Sequence, residues 1–220
     1  MKKIYLCGHT GSFNRGCEAI VRSTVEILKK CGADSIYAFT FDYDADMKLG
    51  INTEVELVTY KKRNLLSKVF SYMEYKLFKS KEIASRAFYG NLFRKEKDFI
   101  TLNIGGDIYC CSTPFISYAL NDLAEKYNIP NIFWGCSVDE KALSDERMSK
   151  DLNKYDYIIA RESLTEEILK QVVNDKSKIY RACDPAFQLP IKEIELPLSF
   201  IKGNTLGIRC IGTSVRDKVQ

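Results

Sequence analysis

The chain has 220 residues, 45% of them hydrophobic and 28% charged, with a formal net charge of +4. Such a balance gives a folded protein of one large α/β domain, or one and a fraction, and excludes a disordered chain. No window reaches the roughly 18 consecutive apolar residues of a membrane span, and the apolar run behind Lys2 and Lys3 is too short for a secretory signal.

The first predicted strand runs from Ile4 to Cys7 and enters a loop with Gly8, Gly11 and Gly16, followed by an amphipathic helix from about Glu18. Glycines there let backbone N–H groups approach an oxygen-rich ligand, and the helix start adds partial positive charge. The spacing GxxGxxxxG is neither a dinucleotide fingerprint nor a P-loop. It offers instead a polar pocket at a strand-to-helix corner, with His9, Thr10, Ser12, Asn14, Arg15 and Glu18 available to line it.

Further strands are predicted at 35–41 (SIYAFTF) and 55–60 (VELVTY). Residues 61–97 then carry eleven basic side chains against three acidic ones, a local charge of +8 that leaves −4 for the rest of the chain. Leu66, Val69, Phe70, Met73 and Leu77 fall there at helical spacing. A buried strand at 99–106 (FITLNIGG) ends in a glycine pair, and a helix over 115–127 is closed by Asn128 and Pro130. Strands at 131–138 (NIFWGCSV) and 157–162 (YIIARE) alternate with helices near 144–153 and 163–173, and a last strand at 178–187 breaks at Pro185.

This βα alternation predicts a Rossmann-like α/β fold, a mostly parallel sheet with helices on both faces. Ligands gather at the carboxyl ends of the strands in such sheets. Those ends hold Gly8 to Gly16, Gly105-Gly106-Asp107, Gly135-Cys136-Ser137, Arg161-Glu162 and Asp184-Pro185. The domain is assigned to 1–190, with the basic helical insertion at 61–97. Residues 191–220 read as a linker and the start of a second domain, most of which is expected to be missing.

Eight cysteines, at 7, 17, 31, 110, 111, 136, 183 and 210, include no CxxC, and His9 is the single histidine. They read as reduced thiols of a cytoplasmic protein ahead of a metal site or disulfides, and no metal is expected.

Five stretches in this order resemble the polysaccharide pyruvyl transferase family: GHTGSFNRGCEAIVRST, LNIGGDIY, IFWGCSV, YIIARESLT and CDPAFQLP. The opening loop departs from the family's Asn-x-Gly-Asp-Glu-Ala pattern, because Cys17 stands where that pattern has aspartate. The resemblance implies one half of a GT-B-like architecture of two Rossmann-like domains facing across a cleft. It further implies transfer of a pyruvyl ketal from phosphoenolpyruvate, a donor substrate rather than a cofactor, to a saccharide or lipid-linked glycan acceptor. Residues that hold the donor's phosphate and carboxylate are expected largely in the second half, so the 220-residue chain alone is expected to be inactive.

Ketal formation needs a proton for the enol methylene, a base for the attacking hydroxyl and donors for departing phosphate. Glu18 and Asp107 are the expected catalytic or hydroxyl-binding carboxylates, against plainer roles in a helix first turn and a cap. His9, Asn14, Gly16, Gly105, Gly106, Arg161 and Arg209 are the expected substrate contacts. Arg161 has an ion pair with Glu162 as its alternative, and Asp184 reads as a loop anchor. The 61–97 segment reads as an insertion packed on the sheet with its lysines in water. Peripheral docking on the inner face of the membrane is its second reading, and no nucleic-acid module is recognisable. The rival functions are a nucleotide-sugar glycosyltransferase of similar architecture and a non-catalytic sugar-binding module.

Overall fold

The structure is a computed structural model that describes residues 2–58, 81–110, 113–190 and 195. Chain contacts cluster into a unit Met1–Leu189, to which everything below belongs, and a unit Pro190–Gln220 that lies almost wholly outside the described residues. The expected linker and second-domain start, Arg209 included, fall in that undescribed part.

Seven parallel strands form one sheet in the order β3-β2-β1-β4-β5-β6-β7. They are β1 (Lys3–Cys7), β2 (Ile36–Phe39), β3 (Glu56–Val58), β4 (Phe99–Asn103), β5 (Asn131–Cys136), β6 (Tyr157–Ala160) and β7 (Ile179–Arg181). The intervening helices are α1 (Arg15–Lys30), α2 (Tyr43–Lys48), α3 (Lys81–Lys95), α4 (Phe115–Tyr127), α5 (Glu146–Leu152) and α6 (Ser163–Val172). Helix α1 begins three residues before the expected Glu18, because Asn14 caps it and accepts the Gly16 N–H. Helix α4 stops where expected: Asn128 takes the left-handed conformation at φ 54° and returns its N–H to Ala124 and Glu125.

The two-residue period of β1 divides the core between the faces of the sheet. Leu6 packs with Val21 and Val25 of α1, together with Ala38, Ile51 and Leu102. Tyr5 and Cys7 point the other way, into an aromatic cluster with Phe39, Phe99 and the α3 side chains Tyr89 and Phe93. A third cluster joins Tyr109, Phe133, Met148, Leu152, Tyr155 and Leu169 under the far half of the sheet. Buried Tyr89 and Phe93 commit the described part of the basic segment to the core, while Arg86, Arg94 and Lys95 stay exposed. Residues 61–80 lie outside the described residues. Among the described residues, no helix is long and apolar enough to cross a membrane.

Strand order reverses between β1 and β4. Crossovers from β1 run one way across the sheet and those from β4 the other, so the loops that follow these two strands part and leave a crevice.

Candidate functional site

The crevice holds an open cleft of about 300 Å³ built from four strand ends. From the end of β1 come Gly8, Thr10 and the first turn of α1, with Asn14, Gly16, Cys17 and Ile20. The end of β4 gives Gly105, Gly106, Asp107 and Ile108; Arg161 follows β6, and Asp184 and Ala186 follow β7. Gly8 has φ +82°, and any Cβ there would strike the buried Asn103 side chain, so only glycine lets the chain turn at this point. Its N–H donates to the Tyr89 hydroxyl at 3.2 Å, which ties the floor of the cleft to α3.

Arg161 organises the opposite wall. Its Nε donates to Ser137 Oγ at 2.7 Å, Nη1 to Asp184 Oδ2 at 3.0 Å and Nη2 to Asp107, while Glu162 stands 3.5 Å away. Ser137 in turn donates its N–H to Gly106 O at 2.8 Å and its hydroxyl to Glu162 at 3.0 Å. Gly106 belongs here for a steric reason: a Cβ would lie 2.9 Å from the Arg161 guanidinium. Asp184 also caps the turn Pro185–Gln188 through the Ala186 N–H at 2.9 Å. Loop anchor and cleft wall are therefore one residue. Three carboxylates surround one guanidinium, so this wall is net anionic. The Asp107 side chain is 69% exposed, and it faces the cleft with acceptor capacity left over.

The expected site residues thus separate. Asn14, Gly16, Gly105, Gly106, Asp107 and Arg161 line one cleft. Glu18 stands in the first turn of α1 but does not line it. Arg15 and Arg22 hold its carboxylate at 2.5 and 3.1 Å, and Arg22 continues to Glu54. Burial works to raise the Glu18 pKa, yet the hydrogen bonds from the two guanidinium groups outweigh it and hold the carboxyl below its usual range. Glu18 thus stands beside the cleft in a cluster with Arg15 and Arg22, while Asp107 lines the cleft itself.

His9 is placed outside the cleft as well. It is 2% exposed and faces away from the cleft, its Nε2 lying 3.0 and 3.1 Å from the oxygens of Asp46. Asp46 itself accepts the Ser12 N–H at 2.9 Å. Burial raises the Asp46 pKa, but hydrogen bonds from Ser12 and Thr40 and the His9 ring prevail and lower it. An ionised Asp46 only accepts, so the His9 proton sits on Nε2. The pair clamps the glycine loop to α2. Sequence reasoning assigned no cleft role to Cys17, Ile20, Ile108 or Ala186. Cys17 adjoins Gly16, Ile20 stands one turn of α1 beyond that glycine, and Ile108 and Ala186 follow Gly106 and Asp184 by two residues, which was the available signal. Among the described residues no cluster of metal-ligating side chains occurs.

Comparison with known proteins bears on this geometry. HepE from Anabaena, solved with UDP and glucose, superposes with a TM-score of 0.54 at 7% identity, over 84% of this chain and 45% of that one. Arabidopsis thaliana UGT89C1 gives 0.52 at 10% identity, over 89% of this chain and 52% of that one. Its complex with UDP-L-rhamnose gives 0.50 at 11% identity, over 87% and 50%. At these identities the likeness is one of fold, and the chain spans about half the length of each structure. No curated protein matches the sequence significantly. The sequence model of polysaccharide pyruvyl transferases, however, matches residues 14–209, from the cap of α1 past the last strand of the sheet. The chain belongs to the polysaccharide pyruvyl transferase family.

Proposed function

We propose that this chain contributes the acceptor-binding wall of a phosphoenolpyruvate-dependent pyruvyl transferase acting on a saccharide. The observation that carries the reading is the convergence of Asp107, Arg161 and Asp184 on the glycine turns of β1 and β4, in a chain of this family. A net anionic wall suits the hydroxyls of a neutral sugar, which donate to carboxylates, better than it suits an anionic donor.

In the reaction, the enol methylene of phosphoenolpyruvate gains a proton and becomes the methyl group. Two acceptor hydroxyls form C–O bonds to the same carbon and lose their protons, and the C–O bond to phosphate breaks. One hydroxyl proton balances the methyl group and the other leaves with phosphate. Exposed Asp107 is assigned to orient an acceptor hydroxyl and take its proton. Arg161 holds the Asp107 side chain in place by donating to it, and the first turn of α1 supplies partial positive charge opposite. Donor phosphate and carboxylate are assigned to basic residues outside the cleft described here, with Arg209 a candidate. We place the reaction in the cytoplasm, at or near the membrane where lipid-linked glycans reside. Cys7 and Cys136, buried in the core as small apolar thiols, suit that compartment.

The test is phosphate release from phosphoenolpyruvate with candidate oligosaccharides, measured on a form that joins these residues to the second domain the family implies, with saccharide binding by the 220-residue chain followed in parallel. Acceptor-dependent release that Asp107→Asn lowers at least a hundredfold supports the reading. Saturable binding of a nucleotide sugar with none of phosphoenolpyruvate would assign the fold to glycosyl transfer instead, and saccharide binding without any turnover would leave a binding module.

A further inference from the structure

A buried chain of hydrogen bonds runs beneath the cleft and ends on a carboxylate that the proposed chemistry does not use. Asn103, at the end of β4, spends both amide hydrogens inside the core, on Ser117 Oγ at 2.8 Å and on the Tyr155 hydroxyl at 2.7 Å. Its Oδ1 is therefore turned toward the floor of the cleft, where it receives the Gly105 N–H at 3.4 Å and fills the space a Gly8 side chain would need. Having accepted from Asn103, Tyr155 has one proton to give, and the Tyr109 hydroxyl stands 3.3 Å away. Tyr109 passes its own proton to Asp151 Oδ2.

A second branch ends at the same atom. Thr101 donates to Asn131 at 2.8 Å, Asn131 to Asn121 at 2.6 Å, and Asn121 to Asp151 Oδ2 at 3.0 Å. All of these side chains are buried, so no solvent offers an alternative partner. While Asp151 is ionised, Tyr109 and Asn121 both donate toward it, because a carboxylate only accepts, and the Tyr109 hydroxyl is then open to receive the Tyr155 proton. A protonated Asp151 becomes a donor, and the direction of the relay is no longer imposed.

We propose that Asp151 is a positioning residue for the cleft: its carboxylate sets the direction of the relay through Tyr109 and Tyr155 that presents Asn103 Oδ1 to Gly105, so the glycine floor responds to a proton held on α5. The inference takes the cleft as the ligand site, as in the function proposed above. Burial pushes Asp151 up to about 7, against the hydrogen bonds from Tyr109 and Asn121 and the charge of Lys154, and with the help of Asp122. The groups that face it are thus Tyr109 after β4, Asn121 and Asp122 on α4, and Tyr155 and Lys154 after α5, the last held by Asp122 and Glu125. The turn Glu140–Leu143 also packs on α5, but its Glu140 and Lys141 are exposed.

The experiment is a nitrogen-15 NMR titration of the full chain from pH 5 to 9. It follows the Gly105 amide, the Asn121 side-chain amide and, as a control away from the relay, the Ser12 amide. In the wild type, Gly105 and Asn121 share one midpoint. Asp151→Asn removes that midpoint at both and leaves the Ser12 signal as it was. Tyr155→Phe cuts the relay between Asn103 and Tyr109, so Asn121 keeps the midpoint and Gly105 loses it. Separate midpoints in the wild type overturn the proposal, as does an unchanged Gly105 titration in either variant. Saccharide binding plays no part in this readout, so its failure would count against the proposed function and leave the relay standing.

Discussion

Replacing Asp46 with alanine tests whether the first glycine loop is held by the buried His9–Asp46 contact or by its own turn geometry. The carboxylate is fully buried and receives the His9 Nε2–H and the Ser12 N–H. Alanine leaves these two donors, and the Thr40 hydroxyl beside them, without their acceptor, at about 1–3 kcal/mol for each donor that finds no other partner. Breaking a buried pair by removing one partner costs ~3–5 kcal/mol, which agrees. At ~2–4 °C per kcal/mol for a chain of this size, the melting temperature should fall by roughly 6–20 °C. Asp46→Asn should cost much less, about 1–2 kcal/mol, because its Oδ1 keeps the Ser12 bond. The loop carries Asn14 and Gly16 to the cleft, so Asp46→Ala should also weaken saccharide binding at temperatures where the fold persists. Urea titrations of the three proteins give the comparison. A loss below about 1 kcal/mol for the alanine variant, or equal losses for both, would refute the clamp.

The two buried carboxylates should give opposite pH signatures. Asp151 is raised from about 3.9 when unfolded to about 7 when folded, so the stability linked to its protonation is full below the unfolded value and is lost as pH climbs toward 7. Three pKa units correspond to roughly 4 kcal/mol at most; Asp151→Asn should remove this slope in urea midpoints measured between pH 4 and 8. Asp46 is lowered, so its contribution is present above the unfolded value and disappears on acidification through the folded one, an acid-side slope that Asp46→Asn should flatten. Arg161→Met leaves Asp107 and Asp184 facing each other without their shared cation; we expect ~1–3 kcal/mol of destabilisation and at least tenfold weaker saccharide binding by calorimetry. Gly135 has φ +63°, and a Cβ there would lie 2.6 Å from Pro185. Gly135→Ala should therefore cost ~2–5 kcal/mol of strain and overpacking and displace Asp184, read as a drop in melting temperature together with weaker binding.

The corners of the cleft were legible because each announces itself locally. Gly105-Gly106-Asp107 closes an apolar run, Arg161 ends YIIA, and Asn14 precedes a periodic stripe. Which corners meet follows from the parallel topology, since every strand of such a sheet ends on the same edge. What the sequence withheld were partnerships between side chains far apart in the chain. His9 finds Asp46 across 37 positions, and no spacing rule connects them. Glu18 pairs locally with Arg15 and Arg22 at helical spacing, which the sequence displayed, but the link from Arg22 on to Glu54, 32 residues away, was not legible. Helix α2 escaped notice because six residues carry too little periodicity to register. The last strand shrank from the ten predicted residues of 178–187 to the three of β7, since the chain leaves the sheet well ahead of Pro185. The aromatic and cationic mix of 61–97 left core packing and membrane docking both open. Tyr89 and Phe93 pack into the core where the segment is described.

One cleft wall hangs from β1, near the start of the chain, and the other is completed by Asp184, just beyond β7. No subset of the βα units therefore carries the whole cleft. During synthesis it stays incomplete until nearly the entire sheet has left the ribosome, and Arg161 waits for its third carboxylate until β7 has been threaded alongside β6. If the cleft holds a saccharide as proposed, affinity for it reports on assembly of the sheet, and the ligand would select the assembled sheet over every shorter intermediate.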